Sequence, residues 1–270
     1  MTVIGLPWKL LWRRPDVSLR ALRVWQRNRD VYLKLWKSEL IWPLAEPIIS
    51  LLALGIGLGG LVDRSELPGG QRYIEFIVPG LLAVWPMWAA AGESAWGAFF
   101  RMENHRTFEA MVATPVSVED VITGEVLWGA TRSLISSAYI LAVVAVWGLL
   151  DSPMALLILP MAFMSGLMFS AIALCYTAVA RSISSLNYFF AVFITPMFWL
   201  GGVFFPLDRL PETLQRIAWW IPITHVVDIY RGLARGEPEW QHLLDILWIL
   251  VTTAIFYAIA LRLMHRRLVK

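Results

Sequence analysis

The chain has 270 residues, of which 58% are hydrophobic and only 16% are charged, and its mean hydropathy is +0.62. Soluble domains are usually about half apolar and a quarter charged, so too few charges remain here to cover a water-facing surface. The composition predicts an integral membrane protein and excludes disordered and collagen-like chains. The single cysteine, Cys175, also excludes an internal disulfide framework.

Six segments are long and apolar enough to cross a bilayer. A span needs about 20 apolar residues, because a helix rises about 1.5 Å per residue and the hydrocarbon core is roughly 30 Å thick. The predicted spans are 41–61, 76–100, 126–150, 152–180, 182–207 and 246–261. The sequence therefore predicts an all-α, polytopic membrane protein with six transmembrane helices, divided into an N-terminal region, 1–40, and a transmembrane domain, 41–270.

The N-terminal region has the pattern of an amphipathic helix. Over 16–40, apolar and aromatic residues that include Trp25 and Trp36 recur on one helical face, and arginines and lysines occupy another. A basic amphipathic helix of this kind lies in the interface of the inner leaflet. The region is predicted to be a cytoplasmic interface helix, either a passive anchor or a gating element.

The distribution of basic residues predicts the orientation. With six crossings both termini face one side, and that side carries 16 of the 23 lysines and arginines, whereas the other side carries six and Arg132 lies within a span. Since cytoplasmic loops are enriched in these residues, both termini are expected in the cytoplasm.

The cytoplasmic loop 101–125 has the densest polar pattern. Residues 107–113 predict a short helix that stops before Pro115, because the residue preceding a proline disfavours the helical region. Ser117 stands three residues before Asp120, which is a variant capping box opening the helix of the third span. The loop is either an ordinary helical hairpin or a rigid knob presented to a cytoplasmic partner.

The outer region 205–235 contains an apolar stretch too short to cross the membrane. Pro211 is predicted at the first position of a short helix that ends before Pro222, and 224–233 forms a second short helix. This re-entrant helical pair suits a gate, although a structured loop has the same pattern.

Catalytic and cofactor-binding motifs are missing from the sequence. It has no Walker A pattern, no H-E-x-x-H and no G-x-S-x-G, and its four histidines lack the spacing of metal ligands. A G-x-G-x-x-G pattern at residues 55–60 ends a hydrophobic span, so it indicates close helix packing instead of dinucleotide binding. We therefore expect no catalytic residue and no metal on this chain.

Two carboxylates, Glu46 and Glu93, are predicted at membrane depth. Proton carriage is one interpretation, and it would make the protein an ion-coupled secondary transporter. The preferred interpretation is that each carboxylate lies near an interface or pairs with Arg132. A secondary transporter would also predict an inverted internal repeat, and none is visible between the two halves.

Several segments resemble the type-2 ABC exporter permeases. Segment 109–125 (EAMVATPVSVEDVITGE) resembles their cytoplasmic loop, and 202–211 (GVFFPLDRLP) with 222–232 (PITHVVDIYRG) resembles their outer re-entrant region. Segments 78–80 (VPG) and 123–132 (TGEVLWGATR) are most similar to the nodulation lipo-oligosaccharide exporter permeases. The similarity covers essentially the whole chain.

The resemblance implies the permease subunit of an ATP-driven exporter in a bacterial inner membrane. Two copies of the chain, in a homodimer or occasionally a heterodimer, would pair with two copies of a separate ATP-binding subunit that holds ATP and Mg. The implied cargo is a lipid-linked oligosaccharide or polysaccharide, with hydrophobic drugs or other lipids as the alternative. The alternative of an intramembrane enzyme would need an Asp-rich metal motif. No nucleic-acid partner is expected.

The resemblance also implies functional residues. The coupling helix would dock into the ATPase through Thr107, Phe108, Glu109, Met111, Thr114, Pro115, Ser117 and Asp120. The re-entrant gate would contain Phe204, Phe205, Pro206, Pro211, Pro222, His225, Asp228 and Arg231. Trp85, Trp88 and Trp199 are predicted to offer aromatic faces to the cargo, although core packing is the default role of each.

Overall fold

The computed structural model describes residues 17–150 and 152–269, and within these ranges the chain forms helices and connecting turns without a β-strand. The predicted all-α fold is confirmed. The α-helices of the described ranges are α1 Ala21–Ser50, α2 Tyr73–Gly92, α3 Thr107–Val112, α4 Val118–Val146, α5 Ile158–Val179, α6 Ile183–Phe189, α7 Thr195–Leu200, α8 Glu212–Trp219, α9 Pro222–Arg235 and α10 Trp240–Leu268.

Short π-helical segments extend or join several of these helices. They are Leu51–Leu58 after α1, Glu93–Gly97 and Phe100–Asn104 after α2, and Phe190–Ile194 between α6 and α7. Segments of π-helix are rare in proteins, and many of those that do occur lie at functional sites. The one that begins at Glu93 lines the cavity described below.

Five helical segments of the described chain are long and apolar enough to span a membrane. They are Tyr73–Asn104, Val118–Val146, Pro153–Val179, Ile183–Leu200 and Trp240–Leu268, and they match the second to sixth predicted spans. The first predicted span, 41–61, contains a shorter apolar helix, Leu44–Leu58. This apolar helix is the last part of the longer helix that begins at Ala21.

The predicted boundary at residue 40 lies within one continuous helix. The helix runs without interruption from Ala21 through Leu58, so the amphipathic part and the first apolar segment form one rod of about 57 Å. Ala21, Val24 and Asn28 are buried on α1, where a close approach of α4 covers them. One side of the segment therefore packs against α4. Residues 1–16 of the predicted region lie outside the described ranges.

The outer helices begin and end at different residues than predicted. The fifth span ends at Leu200 and not at residue 207, because Gly202 adopts a φ of 75°, which is favourable for glycine alone. Pro211 precedes the first residue of α8. Pro222 is the first residue of α9, since its fixed φ and missing N–H suit that position, so α9 begins two residues before the predicted start.

The centre of the molecule lies along α2, and α10 lies at its periphery. Of the most apolar window in each span, 72% is buried for Tyr73–Asn104 and 11% for Trp240–Leu268. Small residues let the central helices approach closely: a methyl group at Gly129 of α4 would lie 2.6 Å from the Ser94 hydroxyl and 2.1 Å from the Ser170 hydroxyl. The helix α10 therefore exposes most of its apolar surface.

Candidate functional site

A cavity of about 580 Å³ lies between α1, α2, α4 and α7. Aromatic side chains form most of its wall, and a smaller polar group completes it. The aromatic lining is Trp85, Trp88, Trp96, Phe198 and Trp199, and the polar lining is Glu46, Glu93, Arg132, Ser136 and Thr195. The three tryptophans predicted to face the cargo thus line one cavity, together with both carboxylates that were predicted at membrane depth.

The aromatic rings continue from this cavity into the outer region. Trp85 lies 6.3 Å from Phe198 between ring centroids, and Phe198 lies 4.9 Å from Phe204. The indole N–H groups of Trp85 and Trp88 are buried, and neither has a hydrogen-bond partner in the described part of the chain. Buried indoles usually find an acceptor, so these two unpaired donors are unusual features of the cavity wall.

An ion-pair network forms the charged side of the cavity. The Glu93 carboxylate lies 2.7 Å from the Arg101 guanidinium and 3.5 Å from that of Arg132, so the predicted pairing with Arg132 is observed. Arg132 also pairs with Glu39 of α1 at 2.7 Å. The Arg101 guanidinium extends to Glu125 of α4, with a nitrogen–oxygen distance of 2.5 Å. The cavity wall is therefore joined electrostatically to α1 and α4.

Each carboxylate of the network has a cationic partner. Glu125 is fully buried, and besides Arg101 it accepts a hydrogen bond of 3.0 Å from the Asn28 amide of α1. Removing one member of such a group leaves an uncompensated buried charge, which typically costs about 3–5 kcal/mol. The network therefore fixes the relative positions of α1, α2 and α4.

The loop 101–125, in which the resemblance places the coupling helix and which is called the coupling loop below, is closed by the predicted capping box. The Ser117 hydroxyl accepts a hydrogen bond of 3.0 Å from the Asp120 N–H, and the Asp120 carboxylate accepts one of 3.3 Å from the Ser117 N–H. Asp120 also accepts from the Ser18 N–H at 2.6 Å and from its hydroxyl at 2.9 Å. The Arg20 guanidinium donates to the Pro115 carbonyl oxygen. The start of α1 is thus attached directly to the coupling loop.

Only part of the predicted docking set faces outward. Glu109, Thr114 and Pro115 are exposed, and the Thr114 hydroxyl donates to the Met111 carbonyl oxygen at 2.6 Å to close the turn. Thr107, Met111 and Ser117 are half-buried. Phe108 and Asp120 are buried, so they support the loop from inside instead of forming its surface. Phe108 is buried because its ring is apolar, and Asp120 is buried because it accepts hydrogen bonds from Ser18.

The outer region is held against α2 and α10. His225 lies with Nδ1 2.7 Å from the Asp245 carboxylate and Nε2 2.8 Å from the Trp219 carbonyl oxygen. Arg231 donates to the Gly202 carbonyl oxygen at 2.5 Å.

The remaining predicted gate residues are spread around this anchored centre. Burial raises the pKa of Asp228 above that of an ordinary carboxyl group, against the smaller opposing effect of Arg231. The Phe204 carbonyl oxygen accepts a 3.2 Å hydrogen bond from the Tyr73 hydroxyl. Phe205 and Pro206 are half-buried, Pro211 is exposed and Pro222 is buried.

The comparisons with known proteins agree with this architecture. The family model of the ABC-2 type transporter matches residues 21–234, which include the cavity, the coupling loop and most of the outer region. The chain belongs to this family. The resemblance stated from the sequence is confirmed, and the chain is a multi-pass bacterial membrane permease whose family implies an ATP-binding partner.

The permease is similar to several curated proteins over most of its length. Nodulation protein J of Rhizobium leguminosarum bv. trifolii is 34% identical over 256 residues, which are 95% of this chain and 97% of the relative. Nodulation protein J of Rhizobium meliloti strain 1021 is 33% identical over 232 residues, 86% and 87% of the two chains. The inner membrane transport permease YadH of Escherichia coli K12 is 26% identical over 227 residues, 80% and 82% of the two chains.

Sequence reasoning missed several residues of the permease site. Trp96 and Phe198 line the cavity, and Arg101 with Glu125 holds its acidic wall. The sequence offered one signal for this ion pair: Arg101 and Glu125, which carry opposite charges, stand at the two ends of the predicted loop 101–125. No group of three or more metal-ligating side chains occurs in residues 17–150 and 152–269.

Proposed function

We propose that this permease exports a lipid-linked oligosaccharide or polysaccharide from the cytoplasmic side outward, with energy from a separate ATP-binding subunit. The aromatic cavity between the membrane helices is the observation that carries this proposal. Flat aromatic faces suit the apolar faces of sugar rings and acyl chains, and a few convergent polar groups suit hydroxyls. The resemblance to the nodulation lipo-oligosaccharide exporter permeases supports the choice of cargo.

The working complex contains two copies of this permease and two ATP-binding subunits, which hold ATP and Mg. Both termini and the coupling loop face the cytoplasm, where the exposed ridge of Glu109, Thr114 and Pro115 meets the ATPase. Closure of the ATPase pair moves this ridge. The contacts of Asp120 with Ser18 transmit the displacement to α1, which contributes Glu46 to the cavity lining and pairs through Glu39 with Arg132.

The test is transport by the permease reconstituted with its ATPase. Trp85, Trp88 and Trp199 are replaced together by alanine, and Trp240→Ala, an 85% exposed tryptophan at the start of α10, is the matched control. Loss of three aromatic contacts is expected to lower cargo-stimulated ATP hydrolysis and export at least about tenfold, since each contact contributes roughly 0.5–1.5 kcal/mol. Basal ATP hydrolysis and the control remain unchanged.

Two outcomes would contradict the proposal. Unaltered export rate and cargo preference in the triple variant would remove the cavity from the transport path. Transport by the permease alone, driven by a proton gradient, would instead favour an ion-coupled transporter that uses Glu46 or Glu93.

A further inference from the structure

A second cavity, of about 720 Å³, opens at the end of the molecule that carries the coupling loop. It lies between the last turns of α5 and α10 and the beginning of α3. Its charged lining consists of Arg106, Arg181, Arg266, Arg267, Glu103 and Glu109. Four cations thus face two carboxylates in one concave surface.

The four arginines of this cavity differ in whether a carboxylate pairs with them. The Arg267 guanidinium pairs with Glu103 at 2.7 Å and donates to the Thr177 carbonyl oxygen at 2.6 Å, so it forms a fixed wall. Arg106, Arg181 and Arg266 are exposed, and none of them forms an ion pair with a carboxylate of the described residues. A concave site with three such guanidinium groups attracts anions.

One face of α10 connects this basic cavity to the exposed apolar surface of the same helix. Ile255, Ile259, Leu263 and Arg266 recur at intervals of three or four residues, so they lie along the same side of the helix. Ile255 is 52% exposed and Ile259 is 37% exposed, whereas Leu263 and Arg266 line the cavity. Val179, which also lines the cavity, is 57% exposed.

We propose that this cavity binds the phosphate headgroup of an anionic phospholipid, whose acyl chains lie along the exposed face of α10. Arginine suits this role because its planar fork binds phosphate oxygens through paired hydrogen bonds. Basic pockets between membrane helices bind anionic headgroups for the same reason. The apolar face favours a lipid over an acidic segment of a partner protein. The site depends neither on the cargo nor on the leaflet that the coupling loop faces.

The experiment measures lipid binding to the full-length permease, purified in neutral detergent without the ATPase. Dioleoylphosphatidylglycerol and dioleoylphosphatidylcholine are titrated, and bound lipid is counted by native mass spectrometry. Phosphatidylglycerol is expected to bind preferentially, and Arg181→Gln and Arg266→Gln are each expected to weaken it about fivefold. The matched control is Arg262→Gln, which removes an equal charge from an exposed position of α10 outside the cavity lining. This control leaves the preference unchanged.

Inorganic phosphate distinguishes a lipid site from a simple anion site. Added in excess, it is expected to leave phosphatidylglycerol bound, because it cannot replace the acyl-chain contacts. Displacement by inorganic phosphate, equal weakening by Arg262→Gln, or loss of the bound lipid when the ATPase assembles would each overturn the proposal. Failure of the export proposal leaves this binding measurement unaffected, so the two can be separated.

Discussion

Gly124 lies where α4 meets the first turn of α1. A methyl group at this position would lie 2.5 Å from Cβ of Val24 and 2.8 Å from the Ala21 carbonyl oxygen. Gly57 offers a contrast, because a methyl group there has no neighbour within 4 Å. Alanine substitutions at these two glycines therefore separate the effect of close packing, at Gly124, from the effect of backbone freedom, at Gly57.

The variant Gly124→Ala is expected to lower the free energy of unfolding by about 1–3 kcal/mol, because the backbone of α1 must move away. Gly57→Ala is expected to be neutral or to stabilise by about 0.4–1 kcal/mol, through reduced freedom of the unfolded chain. Thermal unfolding in detergent measures both variants. Equal melting temperatures for the two would show that the contact between α1 and α4 is not close.

Contacts near in sequence could be predicted, and distant ones could not. Ser117 and Asp120 are three residues apart, so their capping box follows from local chemistry and is observed. The same Asp120 accepts hydrogen bonds from Ser18, which is 102 residues away. Nothing local specifies that partner, because it depends on how α1 packs against α4.

At the scale of single helices, α9 contains a carboxyl group with an unusual environment. Burial raises the pKa of Asp228 in the folded protein above the unfolded value of about 3.9. As the pH rises through this range, the unfolded chain releases its proton first. The contribution of Asp228 to stability is therefore present below about pH 4 and is lost as the pH rises through the folded-state pKa.

The variant Asp228→Asn has no proton to release at this position. Between about pH 4 and pH 7, its melting temperature is expected to fall less than that of the unmodified permease. Asp208→Asn, which changes an exposed carboxylate in the outer loop, is the control and should follow the unmodified curve. Superimposable pH profiles for Asp228→Asn and the unmodified permease would contradict the expectation.

The positions of the helices could be predicted from hydropathy, whereas the cavity could not. Length and apolar composition locate the second to sixth spans, but Gly202 ends the fifth one seven residues before the predicted end. The cavity requires that faces of four helices converge, so that Glu46 and Trp199 line one space. Sequence patterns give the apolar faces of each helix but not their rotation relative to the others.

The topology of the whole molecule can be tested by chemical labelling. After Cys175→Ser, single cysteines are introduced at two exposed positions, Thr114→Cys in the coupling loop and Thr213→Cys in α8. A membrane-impermeant maleimide is expected to label Thr213→Cys in intact cells and Thr114→Cys only after permeabilisation. The reverse result would place the coupling loop outside and contradict ATPase docking.

The uninterrupted helix from Ala21 through Leu58 has the geometry of a lever. Its base is fastened to the coupling loop by Ser18 and Arg20, and near its far end a methyl group at Gly55 would overlap Ile74 of α2. A rigid rod of about 57 Å that tilts by about 10° around its midpoint shifts its tips by about 5 Å in opposite directions. A push on the end that contacts the coupling loop would therefore move the opposite end of the helix by a similar distance in the other direction.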